Sequence, residues 1–163
     1  GTILPAFNPK LGGGALMDLN IYNIHFVVGL LGAPTHVQYL ANVERNIDTS
    51  GILVLTYPNV KVVCIGAKDS TSPVRSTIQG TTGSIIVNGP TNTVESITEI
   101  AHDVTTTDLA LNQAEHRMYA EFVAFERLIA NHDMVTVKRQ LDHSQAVMEV
   151  VDQALASAGL QLG

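Results

Sequence analysis

The chain has 163 residues, 45% of them hydrophobic and 15% charged, with a net charge of −6 at pH 7. That length buries a core within a single domain, residues 1–163, and the composition excludes a disordered or fibrous chain. The acidic balance and the lack of any basic run argue against a nucleic-acid partner.

The first element is announced by Gly12, Gly13 and Gly14, which let the backbone turn tightly and approach other groups closely. A helix is predicted from Ala15 to Leu31, with Gly32 and Pro34 as its stop signal. Asp18, Tyr22 and His25 fall at i, i+4 and i+7 and so share one face. Leu16, Leu19, Ile21, Ile24, Phe26, Val27, Val28, Leu30 and Leu31 leave no other face convincingly polar. The helix is therefore expected to be buried, and its three polar side chains need partners. Asp18 lies near the start, where the helix dipole favours a negative charge. Two readings stand at this point. Asp18 can satisfy free backbone N–H groups while Tyr22 and His25 are bonded core residues, or the three can form a chemical site. A dinucleotide fingerprint is rejected: Met17 stands where the third glycine of G-x-G-x-x-G belongs, and residues 5–10 make a poor preceding strand.

After Pro34 the pattern turns to strands. These are expected over Val37–Val43, Ile52–Tyr57 and Val60–Ala67, the last two joined by the turn residues Pro58 and Asn59 as an antiparallel hairpin. The last of them carries Val62, Cys64 and Gly66 on one face and Lys61, Val63 and Ile65 on the other. With both faces fairly apolar, it is either central or meets a partner on its outer face. Cys64 reads as a core thiol in a reducing compartment, the cytoplasm. A second hairpin, Arg75–Gln79 with Ser84–Asn88, turns at residues 80–83, and weaker strand patterns follow at Ser96–Ala101 and Val104–Leu109.

The last third is helical. Asn112 and Glu115 resemble a capping box for a helix from Gln113 to Ala130. Met118, Phe122, Phe125 and Ile129 recur along it as an expected core stripe, and residues 131–133 break it. A final helix over His143–Ser157 directs Val147, Val151 and Ala154 or Leu155 inward and ends at Gly159. The expected architecture is α+β, a largely antiparallel open sheet with helices packed on one face. Six scattered histidines, at 25, 36, 102, 116, 132 and 143, make no metal-like cluster. The apolar runs are too short and interrupted to predict a membrane span, and no signal peptide is read.

The run GGGALMDLNIYNIH with the following FVVGLLGAP resembles the start of the C-terminal domain of the glucose–fructose oxidoreductase, inositol dehydrogenase and MocA family, whose members read close to GGGxLxDxGxYxxH and then LxGxP. Residues 78–87, IQGTTGSIIV, resemble the family's I-x-G-T-x-G-x-I-x-I hairpin. Ser144–Leu160, with Met148, Val151, Asp152 and Ala158-Gly159-Leu160, resembles its closing helix.

The resemblance implies a substrate-side domain of an NAD- or NADP-dependent oxidoreductase that moves a hydride between its cofactor and a sugar, polyol or related secondary alcohol. An N-terminal Rossmann domain would bind the cofactor and bring a lysine from a Glu-Lys-Pro motif. Asp18 matches the family's aspartate, and Tyr22 matches a position held by histidine or tyrosine. The Tyr22 phenol would exchange the proton at the substrate oxygen, and Asp18 would hold the lysine or orient the donor set. A phenol of ordinary pKa, about 10, needs a nearby cation for this at neutral pH. His25 and Lys10 are the substrate-binding candidates. Family members assemble through the sheet face opposite the helices, so a homo-oligomer is expected.

Two departures stand out. Asn20 replaces the family's usual glycine, so its side chain should crowd the cofactor, reshape the pocket or turn into solvent. The chain has no cofactor fingerprint and no Glu-Lys-Pro, so it reads as a C-terminal domain, inactive alone because hydride chemistry belongs to the cofactor. The alternative is a stand-alone small-molecule-binding or oligomerisation module without catalysis.

Overall fold

In the computed structural model, which describes residues 5–110 and 114–161, every strand pairs antiparallel. The fold class is α+β, as expected, but the strands make two sheets. One has the order β1-β2-β3 and the other β4-β5-β6-β7. They belong to two compact units, residues 72–139 forming the second and the remainder the first.

The first unit holds β1 (His36–Glu44), β2 (Ile47–Thr56) and β3 (Lys61–Ala67). Arg45 and Asn46 both take positive φ, 52° and 64°, which closes the β1–β2 hairpin in a two-residue turn of the mirror-image kind. β2 begins five residues before the predicted Ile52. Its first half, Ile47 to Gly51, is poor in strand formers yet buried, so burial rather than propensity decides. The register places Val37, Leu55 and Val62 in one inner row and Tyr39, Leu53 and Cys64 in the next. Ala41, Gly51 and Gly66 form a third inner row of small residues.

Over this face lie the N-terminal helix and the C-terminal one. The predicted helix from Ala15 is of two kinds: a π turn over Leu16–Asn20, then α1 (Ile21–Leu31). Its buried stripe is Leu16, Asn20, Ile24, Val27 and Val28. The final helix, α3 (Met134–Ser157), starts nine residues earlier than predicted, with the Asp133 carboxylate capping the Thr136 N–H at 3.0 Å. It buries Val147, Val150, Val151, Ala154 and Leu155, and ends where the Leu160 N–H returns to the Leu155 carbonyl beyond left-handed Gly159. Each Leu or Val of this layer contributes about 1.5–3 kcal/mol through burial. Cys64 is part of it, and burial pushes its thiol up to about 11.

Three expectations are corrected. β3 is an edge strand among the described residues rather than a central one, and the apolar outer row of Leu40, Ile52 and Ile65 is exposed in the single chain. The stretch Pro9–Leu31 is long and apolar enough to cross a membrane by length and composition, although the glycines interrupt it and 39% of its most apolar window is buried in the protein. In the second unit, β4 (Arg75–Gln79), β5 (Gly83–Asn88), β6 (Ser96–Ala101) and β7 (Thr106–Ala110) form a meander. There α2 runs only from Tyr119 to Ala130, and its Phe122, Phe125 and Ile129 are exposed, Phe122 at 67%. A helical stripe reveals which face is apolar, not that another element covers it. The proposed cap at Asn112 lies outside the described residues.

The helix start is fixed by Asp48, a buried carboxylate that accepts the Leu16 N–H at 2.6 Å and the Tyr39 hydroxyl at 2.6 Å. Gly14 sits against it at φ +142°, and any side chain there would strike Oδ1. Gly14→Ala should cost about 2 kcal/mol or more in urea unfolding of the chain, through both backbone strain and displaced Asp48.

Candidate functional site

The π turn is visible in the Ile21 N–H, which reaches back to the Leu16 carbonyl, five residues earlier. A turn widened by one residue keeps Asp18 and Tyr22 on one side of the helix. That side is not buried, contrary to expectation: Asp18 is 49% exposed and Tyr22 46%. The physical reason is that the sheet and α3 cover the opposite stripe, leaving the Asp18–Tyr22 face open.

Asp18 is paired within this chain. Its Oδ2 meets the Lys68 Nζ at 2.5 Å. The lysine side chain is only 6% exposed, and its ammonium lies 4.7 Å from the Phe7 ring centroid, a cation–π contact. Lys68 follows the end of β3, and its N–H donates to the Thr49 carbonyl at 2.8 Å. The next residue is tied down as well: Thr49 and Ser50 hydroxyls donate to the Asp69 carboxylate at 2.8 and 3.1 Å. The Thr49 bond is the main reason the Asp69 carboxyl lies below its ordinary pKa.

Of the sequence candidates, Asp18 and Tyr22 share the open face. Lys10 lies on the surface in the short turn Pro9–Leu11, its N–H bonded to the Asn8 side chain at 3.1 Å. The cation at Asp18 is Lys68 instead. His25 is turned toward α3, where its Nδ1 lies 3.1 Å from the His143 Nε2. Burial first, and the neighbouring His143 second, lower the His25 pKa below 6.5.

Asn20 neither reaches solvent nor crowds the open face. It is fully buried over Gly66, accepts the Asn23 amide at 2.9 Å, and leaves its own Nδ2 without a hydrogen-bond partner. A Cβ on Gly66 would stand 3.0 Å from the Asn20 Cγ. Lys68 and Asp48 escaped the sequence reading because their helix partners lie 50 and 32 residues along the chain. The one signal was a lysine following a predicted apolar strand. A cavity of about 420 Å3 runs along the end of α3 between Asp152 and Gln161 and shares no lining residue with this site.

The glycine run cannot cradle a phosphate, because Asp48 already occupies the N-terminus that follows it. An exposed phenol on the same side of the helix as a carboxylate–ammonium pair is of a chemistry suited to proton exchange.

Residues 5–86 match the GFO/IDH/MocA C-terminal domain, and the chain belongs to that family. It is 28% identical over 98% of its length to the scyllo-inositol 2-dehydrogenase (NADP(+)) IolU of Bacillus subtilis. It is also 28% identical over 77% of its length to YgjR, an uncharacterized oxidoreductase of Escherichia coli. It spans 49% of IolU and 38% of YgjR, about half or less of these relatives. Among solved structures, a protein described as an oxidoreductase from Klebsiella pneumoniae shares its fold with a TM-score of 0.65 at 21% identity, over 90% of this chain and 48% of that one. YPO2259 of Yersinia pestis does so at 0.64 and 19%, over 93% and 52%.

Two predictions follow from the packing. Gly66→Ala should cost about 1–3 kcal/mol in chemical unfolding, and much of that should vanish in an Asn20→Ala background. Independent losses in the double variant would show that the two positions do not touch. For His25, the folded state holds its proton less tightly than the unfolded chain, whose imidazole titrates at 6.5. The unfolded state therefore takes up the proton first on acidification, and stability falls. The melting temperature should drop from about pH 7.5 to about pH 5, and less steeply in His143→Gln.

Proposed function

We propose that this chain is the substrate-binding and oligomerisation domain of an NAD- or NADP-dependent oxidoreductase acting on a secondary alcohol of a polyol or sugar. The observation that carries the reading is the exposed Tyr22 phenol on the helix face where the Asp18–Lys68 pair stands. Membership of the family and the likeness to an inositol dehydrogenase support the substrate class. The cofactor, bound mainly by an N-terminal Rossmann domain, would supply the hydride acceptor or donor. Tyr22 takes the hydroxyl proton on oxidation and returns it to the carbonyl oxygen on reduction, while Asp18 keeps the donor set oriented. The donor set of this face fits such a role, and nothing in it resembles a pyrophosphate site. His25 and Lys10 remain the candidates for binding the substrate's further hydroxyls. The exposed row of Leu40, Ile52 and Ile65 suits assembly of copies through the outer sheet face. The buried thiol of Cys64 suits the reducing cytoplasm.

The test uses the full-length enzyme with inositols and sugars and either nicotinamide cofactor. Tyr22→Phe should lower kcat by roughly 10²-fold or more, with unfolding stability changed by less than about 0.5 kcal/mol. The 163-residue chain alone should oxidise or reduce neither cofactor above buffer. Turnover by the isolated chain would show that it needs no separate cofactor domain, and a Tyr22→Phe enzyme of full rate would sink the assignment of proton exchange to Tyr22.

A further inference from the structure

We infer that Lys68 is a positioning residue for Asp18, a cation that this domain supplies from its own β3 edge. The inference rests on the reading of Asp18 and Tyr22 as the catalytic pair and adds a residue that the family motif does not contain.

Four observations carry it. The Lys68 Nζ lies 2.5 Å from the Asp18 Oδ2, a direct charge-assisted bond. Its side chain is withdrawn from solvent and its ammonium is held on a second side by the Phe7 ring. Its backbone is fixed to β2 through Thr49, and Asp69 anchors the following residue through Thr49 and Ser50. A mobile surface lysine would lose much of a pair's energy to side-chain entropy, and each of these restraints lowers that loss. Asp18 keeps Oδ1 without a partner among the described residues, so one oxygen is committed to Lys68 and the other stays available for a substrate hydroxyl or a second cation. The Asp18 carboxylate is thus oriented before any cofactor domain closes over it. Such preorganisation acts on the rate of the chemical step more than on substrate binding.

The full-length enzyme tests this with Lys68→Met, Lys68→Arg and Lys68→Ala. Lys68→Met should lower kcat roughly tenfold or more, with KM within about threefold of wild type. Lys68→Arg should recover most of the loss, and ethylammonium added to Lys68→Ala should recover part of it, which a purely structural lysine would not allow. An active wild type whose Lys68→Met variant keeps its kcat overturns the inference alone. A wild type without turnover overturns the catalytic reading, and this inference with it. A second measurement is independent of turnover. In the 15N-lysine-labelled 163-residue chain, the slowly exchanging Lys68 ammonium signal should disappear in Asp18→Asn. An unchanged signal would show that the two groups are not paired.

Discussion

The structure of the first unit depends on one buried carboxylate. Asp48 stands 32 residues from Leu16 in sequence, yet its Oδ2 accepts both the Leu16 N–H and the Tyr39 hydroxyl. A buried carboxylate is costly unless it is bonded, and here a helix N-terminus and a phenol both donate to one of its oxygens. The phenol responds in turn: burial, and then its bond to Asp48, raise the Tyr39 pKa. The arrangement leaves no room for side chains at its margins. Gly14 must lack a Cβ beside Asp48, and Gly51 must lack one beneath the Tyr39 ring. With the first turn pinned to β2, the rest of the helix has little freedom in where it crosses the sheet.

That crossing point decides which residues meet. On the helix, Asn20 and Asp18 are two apart; on the β3 edge, Gly66 and Lys68 are two apart. Asn20 rests on Gly66, and Asp18 bonds Lys68. Within the small-residue row, Gly66 gives the wider π turn its space against the strands, since a side chain there would meet Asn20 and the Ala15 carbonyl. Where the family usually has glycine on the helix, this chain has an asparagine, and the glycine that allows the close approach is on the strand. The unpartnered Nδ2 of Asn20 is the residual cost, of order 1–3 kcal/mol for a buried donor.

Much of the first unit was legible because its signals are local. The glycine entry, the Gly32 stop, the Pro58-Asn59 turn and the inward residues of the last helix all follow from spacing within a few positions. The hairpin at residues 75–88 was equally clear. What escaped depends on distance or context. Asp48 and Lys68 acquire their roles from partners 32 and 50 residues away. The early half of β2, with Asp48, Thr49, Ser50 and Gly51, has the composition of a loop and becomes strand because it is buried between neighbours. The expected burial of Asp18 and Tyr22 failed for a related reason. An all-round apolar helix reveals nothing about which stripe the sheet selects, and here it selected the one through Leu16, Asn20 and Ile24.

The family's opening motif therefore divides into two kinds of residue. Gly14 and Leu16 serve the seam between helix and sheet through Asp48, while Gly13 packs closely on the preceding Ala6 and Asn8. Asp18 and Tyr22 project from the other side and take no part in that seam. The division explains why a glycine-rich run before a helix is not a phosphate site here, since its N-terminal charge is already answered by a carboxylate. It also separates the consequences of substitution. Changes at Gly14, Asp48 or Gly66 act on whether the helix is held, while Tyr22 stands clear of that seam on the exposed face. Residues of the open face can therefore vary without disturbing the seam that holds the helix.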